Sequence, residues 1–191
     1  RRQVFGRFYN RQQRPKQTNY QQGYDLAADG QLDRARELYE ASLAAVTPPA
    51  ADATRSDRRS LRKRDEVEDW RTHLELARLA LDTDRLDDAE QHLKSARKLL
   101  PETLYVTFRH TQELGEARLA LLRGDVDTAY DMLSDIIEDR GIRSSIETRL
   151  LWAIASWRRG SVAEAASMLL LLDNVEVDIE VLKEEVQGKT G

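Results

Sequence analysis

Four short segments, each ending in alanine and each followed by an apolar helical stripe, recur along the chain: Leu-Asp-Arg-Ala at Ala35, Leu-Asp-Asp-Ala at Ala89, Val-Asp-Thr-Ala at Ala129 and Val-Ala-Glu-Ala at Ala165. The intervals between these alanines are 54, 40 and 36 residues. They exceed or approach a unit of about 34 residues, with the excess collected between units. A period of that size restricts the fold sharply, because a chain of like units buries its apolar surface between neighbours rather than around one centre.

Each alanine stands in the same frame. Before it comes a residue suited to ending a helix in the left-handed conformation: Gly30, Asp84, Gly124 or Gly160. Before that turn a first helix carries a small residue near its middle, at Gly23, Ala77, Ala117 and Ala153. After the alanine a second helix continues with Tyr39, Leu93, Leu133 and Leu169 one turn further on. Small residues let two helices approach, and the larger ones interlock. One such hairpin cannot cover its own apolar face, so about three copies must stack for stability.

On these residues the chain resembles the tetratricopeptide repeat family, antiparallel helix pairs with small residues where they cross. The strongest copy, Trp70 to Pro101, matches the family's residue types at Leu76, Ala77, Ala80, Leu86, Ala89, Leu93, Ala96 and Pro101. The first copy, Lys16 to Thr47, keeps Gly23, Gly30, Ala35 and Tyr39. The third, His110 to Gly141, departs at Glu116, where the family usually has an apolar residue. The fourth, Ile146 to Val177, fits through Trp152, Ala153, Gly160, Ala165, Leu169 and Leu172 but lacks the closing proline. The resemblance implies an all-α fold, a right-handed α-solenoid of about four helix pairs over residues 17–174. Residues 175–191 follow as a capping helix and tail, since Val177, Ile179, Val181, Leu182 and Val186 alternate with acids and a solenoid end needs covering.

In this family the first helix of each pair lines a concave groove. The residues opposite the small crossing positions are then Tyr20 and Tyr24 in copy one, and Leu74, Arg78 and Leu81 in copy two. Copy three contributes Leu114, Arg118 and Leu121, and copy four Leu150, Ile154, Trp157 and Arg158. Aromatic and aliphatic anchors with arginines between them suit a peptide or neighbouring subunit that is amphipathic and acidic. The plainer reading of the leucines is packing between repeats. Some members clamp chaperone tails with lysines and asparagines, but Tyr20, Tyr24, Leu74 and Arg78 occupy those places here, which argues against that ligand.

Charge separates the ends from the body. Residues 1–16 hold Arg1, Arg2, Arg7, Arg11, Arg14 and Lys16 with no acid, while the whole chain has a net charge of −4. This basic arm or tether also carries Phe5, Phe8 and Tyr9, a mixture able to meet phosphate-rich polymers or an anionic membrane. A second basic run falls between the first two copies, in an expected loop insertion over about 48–69 opened by Pro48 and Pro49. It includes Arg55, Arg58, Arg59, Arg62, Lys63 and Arg64, followed by Asp65, Glu66, Glu68 and Asp69. The alternative function is therefore a nucleic-acid or anionic-surface binder acting through Arg7, Arg11, Arg14, Arg58, Arg59, Arg62 and Arg64. The plainer reading of the run is a solvated segment whose acids favour the next helix start.

Enzyme chemistry finds little support. There is no cysteine. His73, His92 and His110 are too dispersed for a recognisable metal spacing, and neither a glycine-rich phosphate loop nor a Gly-x-Ser-x-Gly elbow occurs. The expectation is a protein-binding scaffold or adaptor with no catalytic residues, metal, cofactor or small-molecule substrate. The longest purely apolar run, Met168 to Leu172, is far shorter than the roughly 20 residues of a membrane span. A cytoplasmic location is expected. Because the first residue is Arg1, the chain also reads as the soluble portion of a larger, membrane-anchored protein.

Overall fold

A computed structural model describes residues 15–45, 52, 54–99, 102–140 and 145–172. All regular structure among them is helical: α1 (Pro15–Ala28), α2 (Leu32–Ala44), α3 (Arg55–Asp82), α4 (Leu86–Leu99), α5 (Glu102–Arg123), α6 (Val126–Arg140), α7 (Ile146–Arg158) and α8 (Val162–Leu172). The expected all-α chain of four helix pairs is what forms. It divides into two compact units, one up to Gly115 and one from Glu116, with the boundary inside α5.

The four turns are near copies of one another. Gly30, Asp84, Gly124 and Gly160 all have positive φ, at 75°, 57°, 85° and 89°. In each case the following amide reaches back to the carbonyl five residues earlier: Gln31 N–H to Leu26, Arg85 to Ala80, Asp125 to Ala120 and Ser161 to Ser156, at 2.8–2.9 Å. That bond and a left-handed residue make a Schellman reversal, which uses two of the carbonyls a helix end leaves open. Only Asp84 carries a side chain in this conformation. Asp84→Gly is therefore expected to stabilise the protein by about 0.5–1 kcal/mol, seen as a higher urea midpoint at unchanged slope. An unchanged or lower midpoint would show that Asp84 bears no strain.

In the first unit Ala35, Tyr39, Leu76 and Leu79 form a buried cluster, and Tyr20, Leu26, Ala27, Leu32 and Leu43 pack around it. The α1–α2 pair thus shares its core with α3. Gly23 is buried, and a Cβ there would lie 2.9 Å from the Tyr39 ring and 3.3 Å from the Ala35 carbonyl oxygen. The helices cross where the small residue allows. In copy two Leu76, Ala77, Ala80, Ala89, Leu93 and Ala96 are all buried. Next to them α5 meets α4 where Gln112 Nε2 donates to the Leu93 carbonyl at 3.0 Å, and it meets α3 where the Trp70 and Phe108 rings lie 5.0 Å apart.

In the second unit Ala117, Ala129, Leu133, Ile136, Ala153 and Ala165 are buried at the expected positions. Trp152 of α7 reaches α6, donating from Nε1 to Ser134 Oγ at 2.9 Å and stacking on Tyr130 with centroids 5.6 Å apart. Leu169 departs from the pattern. It holds the register of Tyr39, Leu93 and Leu133 but is 48% exposed. The capping segment 175–191 and residues 1–14 of the arm 1–16 lie outside the described residues, and the arm's last two residues, Pro15 and Lys16, open α1.

The expected loop over 48–69 is corrected from residue 55 onward, where α3 begins and runs for 28 residues. Thr54 caps it: its Oγ1 accepts from the Asp57 amide at 3.2 Å, and the Asp57 carboxylate accepts from the Thr54 amide at 2.9 Å. This reciprocal box supplies two partners at the helix start. The Asp57 carboxyl pKa is lowered, chiefly by hydrogen bonding from the Thr54 side chain and then its backbone. Beyond the cap, Arg62 pairs with Glu66 and Arg64 with Glu68, both at 3.1 Å and four residues apart. With no Gly or Pro between Pro49 and the end of α3, the charge run is a helix surface.

Candidate functional site

The α1–α3 face of the first unit gathers the residues best placed to meet a partner. Tyr20 and Tyr24 come from α1; Arg71, Leu74, Glu75 and Arg78 come from α3, on one helical stripe. Tyr20 is half-buried with its ring tilted on Tyr39 at 5.7 Å. Its pKa is raised, mainly by burial and next by Glu75, while Arg71 and Arg78 pull the other way. The phenol of α1 therefore lies within the field of three charged groups on α3. Tyr24 is 48% exposed.

Arg78 pairs with Glu75 of its own helix at 3.0 Å. Burial is the largest influence on Arg78 and disfavours its charge, yet Glu75, Asp82 and Tyr39 outweigh it and raise the guanidinium pKa. Arg71 is exposed and stands over the Phe108 ring of α5 at 5.9 Å. Arg71, Glu75 and Phe108 were not among the residues anticipated from sequence. The spacing of 71 from 78, two helical turns on the same face, is the signal that finds Arg71; Phe108 becomes visible only once α5 packs on α3.

Other anticipated groove residues are placed differently. Leu81 and Leu121 are core, 5% and 4% exposed. Both lie in the last turn before a reversal, where apolar side chains are covered by neighbouring helices. Leu74, Leu114, Leu150 and Ile154 are half-buried. In the second unit the arginines tie α5 to α7: Arg118 lies 3.9 Å from Glu147, and Arg158 Nη1 donates to the Leu121 carbonyl at 2.9 Å. Trp157 is 50% exposed. A shallow cavity of about 320 Å³ also opens between α7 and α8, lined by Trp152, Ala163, Met168 and Leu171 among others.

Of the anion-binding candidates, Arg58, Arg59, Arg62 and Arg64 are exposed along the first half of α3, with the last two already paired to glutamates. Arg7, Arg11 and Arg14 lie outside the described residues. His73 and His92, dispersed in sequence, are brought together by the α3–α4 hairpin with their Nδ1 atoms 3.0 Å apart. Among the described residues no group of three or more His, Asp or Glu is placed to hold a metal ion, and no helix is long and apolar enough to cross a membrane.

Comparison with known proteins agrees with the best-formed hairpin. Residues 70–95, which run from Trp70 in α3 through the Asp84 turn to Ser95 in α4, match the family model for the tetratricopeptide repeat. Searches of curated proteins and of solved structures return no match. Repeats of this kind generally mediate protein–protein interaction and are typically non-catalytic. The matched segment holds the Leu76, Ala77, Ala80, Ala89 and Leu93 packing described above, and its left-handed turn recurs in the other pairs; over residues 70–95 the chain is similar to a tetratricopeptide repeat.

Proposed function

We propose that the chain is a non-catalytic scaffold or adaptor module that holds a peptide or a neighbouring subunit against the α1–α3 face of its first unit. The observation that carries this reading is the convergence of Tyr20 and Tyr24 from one helix with Arg71 and Arg78 from another. Tyrosine and arginine are the side chains most often found at binding hot spots. The Arg78–Glu75 pair is partly exposed, and pairs of that kind are worth about 0.2–1 kcal/mol. An incoming carboxylate competes for Arg78 at small cost. The partner is therefore an amphipathic segment in which acids alternate with apolar residues.

Peptides of that character selected by display against the full chain test the reading. Tyr24→Ala with Arg78→Ala is expected to weaken their binding at least tenfold, a loss of about 1.4 kcal/mol or more, with the helical circular dichroism unchanged. Equal affinity for the double variant would remove the α1–α3 face from consideration. Salt separates this from the anionic-ligand reading. Binding through Arg58, Arg59 and the basic arm would fall steeply with ionic strength, whereas contacts centred on Tyr20 and Tyr24 would change little.

A further inference from the structure

The His73–His92 contact joins the two helices of the matched repeat across a gap of 19 residues. The two nitrogens are 3.0 Å apart and the ring centroids 5.3 Å apart, with a tilt of 38°. The centroid separation exceeds the nitrogen separation by about the two ring radii, so both nitrogens lie on the line joining the rings. They aim at each other, as an N–H donor and a lone-pair acceptor do, rather than converging on a third atom. One ring must be the Nδ1–H tautomer and the other the Nε2–H tautomer.

We propose that His73 and His92 are a pH-operated latch between α3 and α4, closed while the acceptor imidazole is neutral and opened when both rings are protonated. The first proton can go to Nε2 of the donor ring, which keeps its Nδ1–H and strengthens the bond. The second must go to the acceptor Nδ1, leaving two N–H groups on positive rings facing each other at 3.0 Å. The pair titrates as a unit in two steps.

The surroundings set where this happens. Both histidine pKa values are lowered, His73 by burial and then by His92 against the pull of Asp69, His92 by burial and by Arg85 against Asp88 and Glu40. The groups facing the pair are thus Asp69 on α3, Asp88 on α4, Arg85 in the turn and Glu40 on α2, while α5 presents uncharged Gln112 and Gly115 to α4. With folded-state values below the ordinary 6.5, the unfolded chain binds protons first. The associated stability is complete above that pH and is lost as pH falls through and below it. This latch does not depend on the α1–α3 binding face.

Thermal unfolding of the full chain between pH 7.5 and 5.0, with a chelator present, tests the idea against the double variant His73→Asn with His92→Asn, which keeps polar side chains that do not titrate. The wild type is expected to lose roughly 2–4 °C more in Tm over that interval. Parallel losses in the two proteins would overturn the latch. Should the variant fail to fold, long-range ¹H–¹⁵N spectra of the wild-type imidazoles decide. Opposite Nδ1 tautomers at pH 7.5 and midpoints below 6.5 support it; two identical tautomers or two ordinary midpoints refute it.

Discussion

Gly23→Leu is expected to destabilise the first unit by about 3 kcal/mol or more, at the upper end of what overpacking a core costs. A single added carbon already meets the Tyr39 ring at 2.9 Å and the Ala35 carbonyl oxygen at 3.3 Å. Tyr39 is fully buried and its ring lies against that of Tyr20, so it has little room to turn. The obstacle on the other side is backbone. A leucine therefore fits only if α1 separates from α2, exposing the cluster of Ala35, Tyr39, Leu76 and Leu79. Helix propensity works the other way, because glycine costs about 1 kcal/mol in a helix interior. Gly23→Ala is accordingly milder, and combining it with Tyr39→Leu should recover part of its loss by removing the ring that is struck. Urea denaturation monitored by circular dichroism measures both. A Gly23→Leu protein within 0.5 kcal/mol of wild type would mean that the helices do not cross at residue 23.

Much of this fold was legible because its rules are local. A residue able to take positive φ, five places before an alanine, marks a reversal whatever surrounds it, and all four such residues adopt that conformation. Small residues at fixed distances from the turns mark the crossings, and Gly23, Ala77, Ala117 and Ala153 are buried accordingly. The 55–69 segment was misread because its charge run resembles a solvated loop. Its helical start depends on the Thr54–Asp57 box and on charges paired at a spacing of four. Thr-x-x-Asp is a weaker signature than the same motif with glutamate.

The binding face was legible only in part, since which side chains remain open depends on packing between repeats. Arg78 and Arg118 hold the same register in adjacent copies. One pairs within its own helix beside Tyr20, while the other lies against Glu147 of α7. The difference comes from the neighbour: α1 presents tyrosines to Arg78, and α7 presents a carboxylate to Arg118. Likewise no sequence spacing announces His73 and His92, which meet because the hairpin folds position 73 back onto position 92. Local patterns determine where helices turn, and the next element determines what each exposed residue does.

Leu133 and Leu169 put that distinction to a measurement. They occupy the same register, one turn beyond Ala129 and Ala165, in the two helix pairs of the second unit. Leu133 is fully buried and Leu169 is 48% exposed. Truncating a buried leucine loses its transfer free energy and leaves a cavity, for a total of about 3–5 kcal/mol. Half-burial leaves about 1 kcal/mol at stake, and no closed cavity forms. Leu133→Ala is therefore expected to lower stability by about 3 kcal/mol or more, and Leu169→Ala by about 1 kcal/mol or less, in parallel denaturant titrations of the full chain. Equal losses would mean that position 169 is as covered as position 133 in solution. A small loss at both would mean that α6 is not locked into its neighbours through Leu133, and the repeat packing would have to be redrawn around other residues.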